Sequence, residues 1–129
     1  MSNERLATIT SYIGAGLLFA TAGLHLSFYG SVTEQAPADG RPLLAALWVG
    51  CGISVMLTAL LVIAVTPLQT IRRRAILLIA ALTPLSMAVL QIVYLGFIPP
   101  TAILLLDAGV IIVAGQLGHA RQPVPVPAA

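Results

Sequence analysis

The sequence predicts an all-α fold, an integral membrane bundle of four transmembrane helices with both termini on the same side. The chain of 129 residues is 59% hydrophobic and 8% charged, with a mean hydropathy of +1.03. So few charges cannot cover a water-soluble surface, and this length argues for one domain. Four apolar stretches approach the length of about 20 residues that a helix needs to cross a bilayer. Short breaks rich in polar residues, Pro or Arg separate the four stretches.

The first two predicted spans cover residues 6–29 and 43–65. They are joined by GSVTEQAPADGRP, a polar loop whose Gly and Pro residues interrupt helical structure. In the second span, Ala45, Gly52 and Ala59 recur every seven residues. Small residues at this spacing let two helix backbones approach closely in lipid. The spacing therefore indicates a helix-packing seam.

The third and fourth predicted spans cover residues 75–97 and 101–118. The basic connection TPLQTIRRR precedes the third span, and Pro99 and Pro100 separate it from the fourth. Pro84 lies within the third span and removes one backbone hydrogen bond, which predicts a kink near the middle of the membrane. A kink at this depth can open a cavity between helices.

Arginine placement predicts the orientation of the bundle. Four spans put both termini and the second loop on one side, together with Arg5, Arg72, Arg73, Arg74 and Arg121. The opposite side holds Arg41 alone. The positive-inside rule then places both termini in the cytoplasm of a bacterial-type plasma (inner) membrane. Residues 119–129, which alternate Pro with small residues, are expected to form a disordered cytoplasmic tail.

One alternative concerns the first span. Residues 20–22 read Ala-Thr-Ala after a short apolar core, which resembles the cleavage site of a signal peptide. Cleavage there would leave three spans. Glu4 beside Arg5 removes the net positive charge that such a segment needs, and the apolar run continues past the site. These two features favour a membrane helix.

The sequence predicts neither a metal site nor a cofactor. Cys51 is the single cysteine, so a disulfide within the chain and a multi-cysteine metal site are excluded. His25 and His119 are expected on opposite sides of the membrane, too far apart to share a metal ion. The sequence contains no Gly-rich phosphate loop and no serine nucleophile motif. The arginine cluster indicates topology and contact with membrane lipids, and no nucleic-acid partner is expected.

A layer of polar side chains is the most informative feature for function. Each span places one such residue about 6–9 Å from its outer end. The four residues are His25, Trp48, Gln91 and Asp107. Asp107 is the only charged residue predicted inside lipid, where a charge costs about 2.5–3.5 kcal/mol on insertion scales. We expect these side chains, with Tyr94, to line one cavity under the outer loop, and Glu34 to act as a lid residue.

This layer is compatible with three functions. The first is binding of a lipophilic ligand, or a role as accessory subunit of a membrane complex. The second is an enzyme whose His25 and Asp107 form an acid–base pair for isomerisation, cyclisation or epoxide opening, with a hydrogen bond from Gln91 or Tyr94. The third is a proton-coupled small-molecule transporter. The alternative to all three is a purely structural role, in which these side chains only hold the helices together.

A bundle of this size buries little surface by itself, so a homo-oligomer or a larger membrane complex is also compatible with the sequence.

The helix pattern resembles the DoxX-like group of small bacterial four-helix membrane proteins. The resemblance rests on GAGLLFATAGLHL in the first span, Arg41 and Pro42 closing the outer loop, and LLAALWVGCGISVML in the second span. It covers most of residues 11–118 and implies the fold without implying a function. Small multidrug pumps of similar length carry a Glu in the first span, where this sequence has His25.

Overall fold

The computed structural model describes residues 2–68 and 70–117, except for the side chains of residues 70, 94 and 95. These residues form six α-helices and no strand. The helices are α1 (Asn3–Ser27), α2 (Tyr29–Glu34), α3 (Arg41–Val65), α4 (Thr70–Ala80), α5 (Leu82–Leu95) and α6 (Pro99–Leu117). Four helical segments are long and apolar enough to cross a membrane, namely α1, α3, α6 and the continuous stretch Ile71–Val93. This confirms the predicted all-helical fold with four candidate spans. The predicted tail lies outside the described residues.

Local sequence accounts for the first helix boundaries. The Ser2 side chain caps α1 by accepting a hydrogen bond of 3.3 Å from the backbone N–H of Arg5. The first long helix ends at Ser27, two residues earlier than the predicted span, and the chain then forms the short helix α2. Pro42 lies in the first turn of α3. Backbone N–H groups in this turn have no acceptor within the helix, so proline, which lacks the N–H, costs no hydrogen bond there.

The third candidate span is interrupted near its middle, between α4 and α5. The regular helix pauses at Ala81, three residues before the buried Pro84. Pro84 has no N–H to donate to the carbonyl of Ala80, which is the partner expected four residues earlier. The helix is therefore interrupted one turn before the proline for which the sequence predicts a kink. Helix α5 ends at Gly96, whose φ of 77° is the left-handed conformation that glycine adopts without strain.

The four candidate spans form a ring. Helix α1 packs between α3 and α6, α6 also packs on α4 and α5, and α3 packs on α4. Helix α3 contacts α5 less extensively than it contacts α4. The third span therefore packs more closely on α3 before the break than after it.

The two ends of the ring differ in charge. We call the end that carries Arg5, Arg72, Arg73 and Arg74 the arginine end, and the opposite end, with α2, the cavity end. At the arginine end, the buried Arg73 donates a hydrogen bond of 3.3 Å from Nη1 to the backbone carbonyl of Thr66, the residue after α3. A cation at the last turn of a helix interacts favourably with the helix dipole.

Small residues bring the helices together. Gly52 and Ala59 of the predicted seam are buried, and Ala45 is half-buried. On the opposite side of α1, a Cβ at Gly14 would lie 3.3 Å from Cγ1 of Ile111 in α6, so glycine permits this close approach. Many large apolar side chains point outward from the ring instead, which is what a lipid environment favours.

Candidate ligand cavity

A cavity of about 310 Å³ lies between the four spans at the cavity end. All four contribute to its wall, each through the half that is nearest this end. Three of the predicted site residues, His25, Trp48 and Gln91, line it. Most of the remaining wall is apolar, with side chains such as Leu24, Leu44, Met87 and Leu104. The depth counted along each helix therefore places these three polar residues at one cavity.

His25 and Trp48 form a reciprocal pair between α1 and α3. The ring Nε2 of His25 lies 2.9 Å from the backbone oxygen of Trp48, and the indole Nε1–H donates to the backbone oxygen of His25 at 2.8 Å. The two rings stack with centroids 4.1 Å apart and planes 12° from parallel. Because a carbonyl oxygen only accepts, Nε2 carries a proton in this contact, and in the tautomer with its proton on Nε2 the other nitrogen, Nδ1, is a hydrogen-bond acceptor.

Gly52 makes room for this pair. A Cβ at Gly52 would lie 2.6 Å from Cδ2 of Leu26 and 3.4 Å from Cδ2 of His25. Real Cβ atoms essentially never approach another heavy atom as closely as the first of these distances. The missing side chain lets α1 and α3 come close enough for both hydrogen bonds to form. Gly52, one of the small residues that recur every seven positions in α3, therefore permits the pairing of His25 and Trp48 at the cavity wall.

Asp107 lies beneath the cavity rather than in its wall. Its side chain is fully buried, and Oδ2 accepts a hydrogen bond of 2.8 Å from the hydroxyl of Thr21 in α1. Its other oxygen, Oδ1, is buried and has no hydrogen-bond partner. Thr21 and Leu104 do line the cavity, and Leu104 lies one helical turn before Asp107. Thr21 therefore separates the carboxyl group from the cavity space.

Gln91 connects α5 to α6. Its Oε1 accepts a hydrogen bond of 2.9 Å from the hydroxyl of the buried Thr101, and the backbone N–H of Ile98 points at the same hydroxyl at 3.4 Å. Within the described part of the chain, no hydrogen bond engages Nε2 of Gln91. This amide is thus a free donor in the cavity wall.

The predicted acid–base pair is not hydrogen-bonded in this structure. Among the described residues, no hydrogen bond joins His25 and Asp107, because the ring bonds to the Trp48 backbone and the carboxyl group bonds to Thr21. Glu34 is exposed and lies outside the cavity wall. The side chain of Tyr94 lies outside the described residues.

No role at the site was predicted for Thr21, Thr101 or Cys51. Thr21 precedes His25 by one helical turn, and the helical period predicts that both lie on one face of the first span, but it does not predict the bond to Asp107. Cys51 follows Trp48 by three residues and lines the cavity on the same face of α3. Thr101 carries no comparable signal, because threonines at helix starts usually cap their own helix.

Among the described residues, no group of three or more His, Cys, Asp or Glu side chains could hold a metal ion. No family model, curated protein or solved structure matches the chain. The case for a function therefore rests on the cavity itself.

Proposed function

We propose that this protein is a small integral membrane protein that binds a lipophilic small molecule in the cavity between its four spans. The observation that carries the proposal is the cavity of about 310 Å³, which is partly open at the bundle surface, bordered by all four helices and lined mostly by apolar side chains. Ligand sites are typically mostly apolar, with volumes of about 300–1,000 Å³ and a few polar groups that orient the ligand. His25, Trp48 and Gln91 would supply those polar groups.

The cavity volume limits the size of the ligand. An apolar protein cavity of about 150 Å³ accommodates benzene, so twice that volume suits roughly twelve non-hydrogen atoms. A ring with a short chain meets this limit, whereas a whole diacyl lipid does not. We infer that the ligand is a small lipophilic molecule, and that whole membrane lipids surround the bundle without occupying the cavity.

A route from the bilayer fits the same geometry. Leu47 of α3 and Leu90 of α5 line the cavity, and they are also 58% and 56% exposed at the surface of the bundle. They lie on α3 and α5, which pack less closely on each other than α3 and α4 do. A lipophilic molecule dissolved in the membrane would enter between these leucines without crossing a polar surface.

Catalysis has less support from the geometry. An acid–base mechanism needs His25 and Asp107 to reach one substrate, but Asp107 is not in the cavity wall. The polar groups that do line the cavity are suited to orienting a ligand. The enzyme and transporter alternatives stay hypotheses that Asp107→Asn can test through activity once a ligand is known.

The membrane context is part of the proposal. We infer that both termini are cytoplasmic in a bacterial-type inner membrane, because Arg5, Arg72, Arg73 and Arg74 share one end of the bundle. Cytoplasmic loops carry the excess of basic residues in such membranes. The resemblance to DoxX-like proteins agrees with this context, as does association of the exposed apolar faces with lipid, with a second copy or with a larger membrane complex.

Trp48 provides the test, because it is the only tryptophan in the chain and lines the cavity. The purified protein would be placed in phosphatidylcholine nanodiscs and titrated with 4-phenylbutanol, a neutral probe with about eleven non-hydrogen atoms. We expect saturable quenching or a spectral shift of the Trp48 fluorescence. Native mass spectrometry of protein extracted from its own membranes would reveal a resident ligand.

A matched pair of variants locates the binding. Cys51→Phe places a large side chain in the cavity wall, so we expect the saturable signal to disappear. Ile53→Phe makes a similar change two residues later on an exposed face of α3 and should leave binding intact. No saturable signal in the parent protein, or an equal signal in Cys51→Phe, would refute the proposal. A retained protein partner without any small-molecule adduct would instead indicate an accessory subunit.

A further inference from the structure

We propose that the ligand is a lipophilic amine, with its protonated nitrogen directed at the Thr21–Asp107 pair and its apolar body among the leucines of the cavity. This inference rests on the proposed function and deepens it by naming the ligand class. Three observations carry it: the unpaired carboxyl group, the acceptors in the wall, and the stacked aromatic rings.

Asp107 lacks a cationic partner in the described part of the chain. Among the described residues, Oδ1 has no hydrogen-bond partner and Oδ2 is bonded only to the neutral hydroxyl of Thr21. Arg41 is the single arginine at the cavity end, and its exposed guanidinium points at the backbone oxygens of Glu34 and Ala36. A buried carboxylate without compensation is strongly destabilising, and a cation bound nearby relieves that penalty.

The cavity wall next to Asp107 presents acceptors. The hydroxyl proton of Thr21 is directed to Asp107, so the oxygen lone pairs of Thr21 are the groups available to a ligand donor. His25 lines the same side of the cavity, and its Nδ1 is an acceptor because Nε2 carries the proton. A ligand ammonium group would donate to these oxygen and nitrogen atoms while Asp107 supplies the opposite charge from behind Thr21.

The stacked rings of His25 and Trp48 also favour a positively charged ligand. Trp48 stacks on His25 in the cavity wall, and the face of an indole ring attracts cations. On the α5 side, the free Nε2–H of Gln91 is a donor, but it is neutral. A buried carboxyl group that a bound cation would keep ionised, two acceptors and an aromatic face therefore outweigh one neutral donor, so the cavity selects a cation over a neutral or an anionic head group.

Three probes with one apolar body test this selectivity. They are 4-phenylbutylamine, 4-phenylbutanol and 4-phenylbutyrate, titrated at pH 7 against Trp48 fluorescence in zwitterionic phosphatidylcholine nanodiscs. We expect the amine to bind about tenfold more tightly than the alcohol, and the carboxylate to bind most weakly. The same titrations on Cys51→Phe measure how much of each signal comes from partition into the bilayer.

Two variants assign the selectivity to the proposed pair. Asp107→Asn keeps the side-chain shape and removes the charge, so the preference for the amine should fall to near unity while the alcohol still binds. Thr21→Val removes the acceptor oxygen but leaves the carboxyl group, so it should reduce the preference for the amine, which provides a second test if Asp107→Asn does not fold. Thr58→Val is the matched control, because that buried hydroxyl bonds within its own helix and lies outside the cavity wall.

The outcomes separate the two proposals. Equal affinity for the amine and the alcohol, or an amine preference that persists in both Asp107→Asn and Thr21→Val, would overturn the amine inference and leave ligand binding standing. If none of the three probes binds, ligand binding itself fails and the amine inference fails with it.

Discussion

Replacing Gly52 with Ala tests the close contact on which the cavity wall depends. The added Cβ would lie 2.6 Å from Cδ2 and 2.8 Å from Cγ of Leu26, where ordinary contacts begin at 3.4 Å. Rotating the end of the Leu26 side chain does not relieve the contact with Cγ, because Cγ is bonded directly to Cβ. The overlap of about 0.6–0.8 Å therefore has to be relieved by moving α1 away from α3, or by turning the whole Leu26 side chain.

Moving α1 away from α3 would lengthen the hydrogen bonds between His25 and Trp48. The His25–Trp48 bonds are 2.9 Å and 2.8 Å long, so an added 0.6–0.8 Å would bring both to or beyond the usual limit of about 3.5 Å. Interhelical hydrogen bonds in membranes average about 0.6 kcal/mol each, and a stacked ring pair contributes about 0.5–1.5 kcal/mol. Their loss amounts to about 2 kcal/mol, offset by up to about 1 kcal/mol from the better helix propensity of Ala.

The matched control is Gly50→Ala. A Cβ at Gly50 meets no heavy atom within 4 Å, so this variant gains the helix propensity without the overlap. We would measure thermal unfolding of both variants in the same detergent, by circular dichroism and by Trp48 fluorescence. The free energy of unfolding of Gly52→Ala should be about 2 kcal/mol lower than that of Gly50→Ala, a difference of roughly 8 °C in Tm at about 4 °C per kcal/mol.

The melting temperature and the Trp48 emission together can refute this prediction. Loss of the stacked pair should also change the Trp48 emission of the folded Gly52→Ala protein. If Gly52→Ala melts at or above the temperature of Gly50→Ala with unchanged emission, the close approach of α1 and α3 does not stabilise the bundle. In that case Leu26 turns outward freely and the pair does not depend on the glycine.

Three further predictions follow from other parts of the structure. Pro84→Ala restores the N–H that the Ala80 carbonyl lacks, so the third span should straighten towards α3. The affinity for 4-phenylbutanol should then fall at least about fivefold, without any loss of thermal stability. Thr101→Val leaves Oε1 of Gln91 without its donor and should lower the free energy of unfolding by about 1 kcal/mol, measured by thermal melts against Thr58→Val. A fluorescent protein fused to the C-terminus should fluoresce in the bacterial cytoplasm and alkaline phosphatase fused there should stay inactive, whereas the opposite pattern would refute the proposed orientation.

The number of spans and the position of the break were predictable because they depend on composition and on one residue. Hydropathy identifies an apolar helix wherever it packs, and Pro84 interrupts a helix in any surroundings. The shared depth of His25, Trp48 and Gln91 also needed only the rise per residue, since all three lie at fixed distances from their helix ends.

The hydrogen-bond partners were not predictable in the same way. Helices that are apolar on nearly every side carry little information about which face turns inward. Thr21 and His25 share a face of α1 and differ by about 6 Å in depth, so the axial position of α6 decides which of them Asp107 meets. The short helix α2 was missed as well, because its polar sequence YGSVTE lacks an apolar period.

The reciprocal bonds between His25 and Trp48 have a mechanical consequence. Each ring bonds to the backbone of the other helix, so a slide of α1 along α3 by one residue, about 1.5 Å, or a comparable rotation would break both bonds at once. Thr21 and Asp107 hold α1 against α6 in a similar way. Three of the four walls are thereby fixed in axial register. Helix α5 packs mainly on α6, and among the described residues its side-chain hydrogen bond to that helix is the one from Thr101 to Gln91. No hydrogen bond between described side chains joins α5 to α3, so the register of these two walls depends on apolar packing alone.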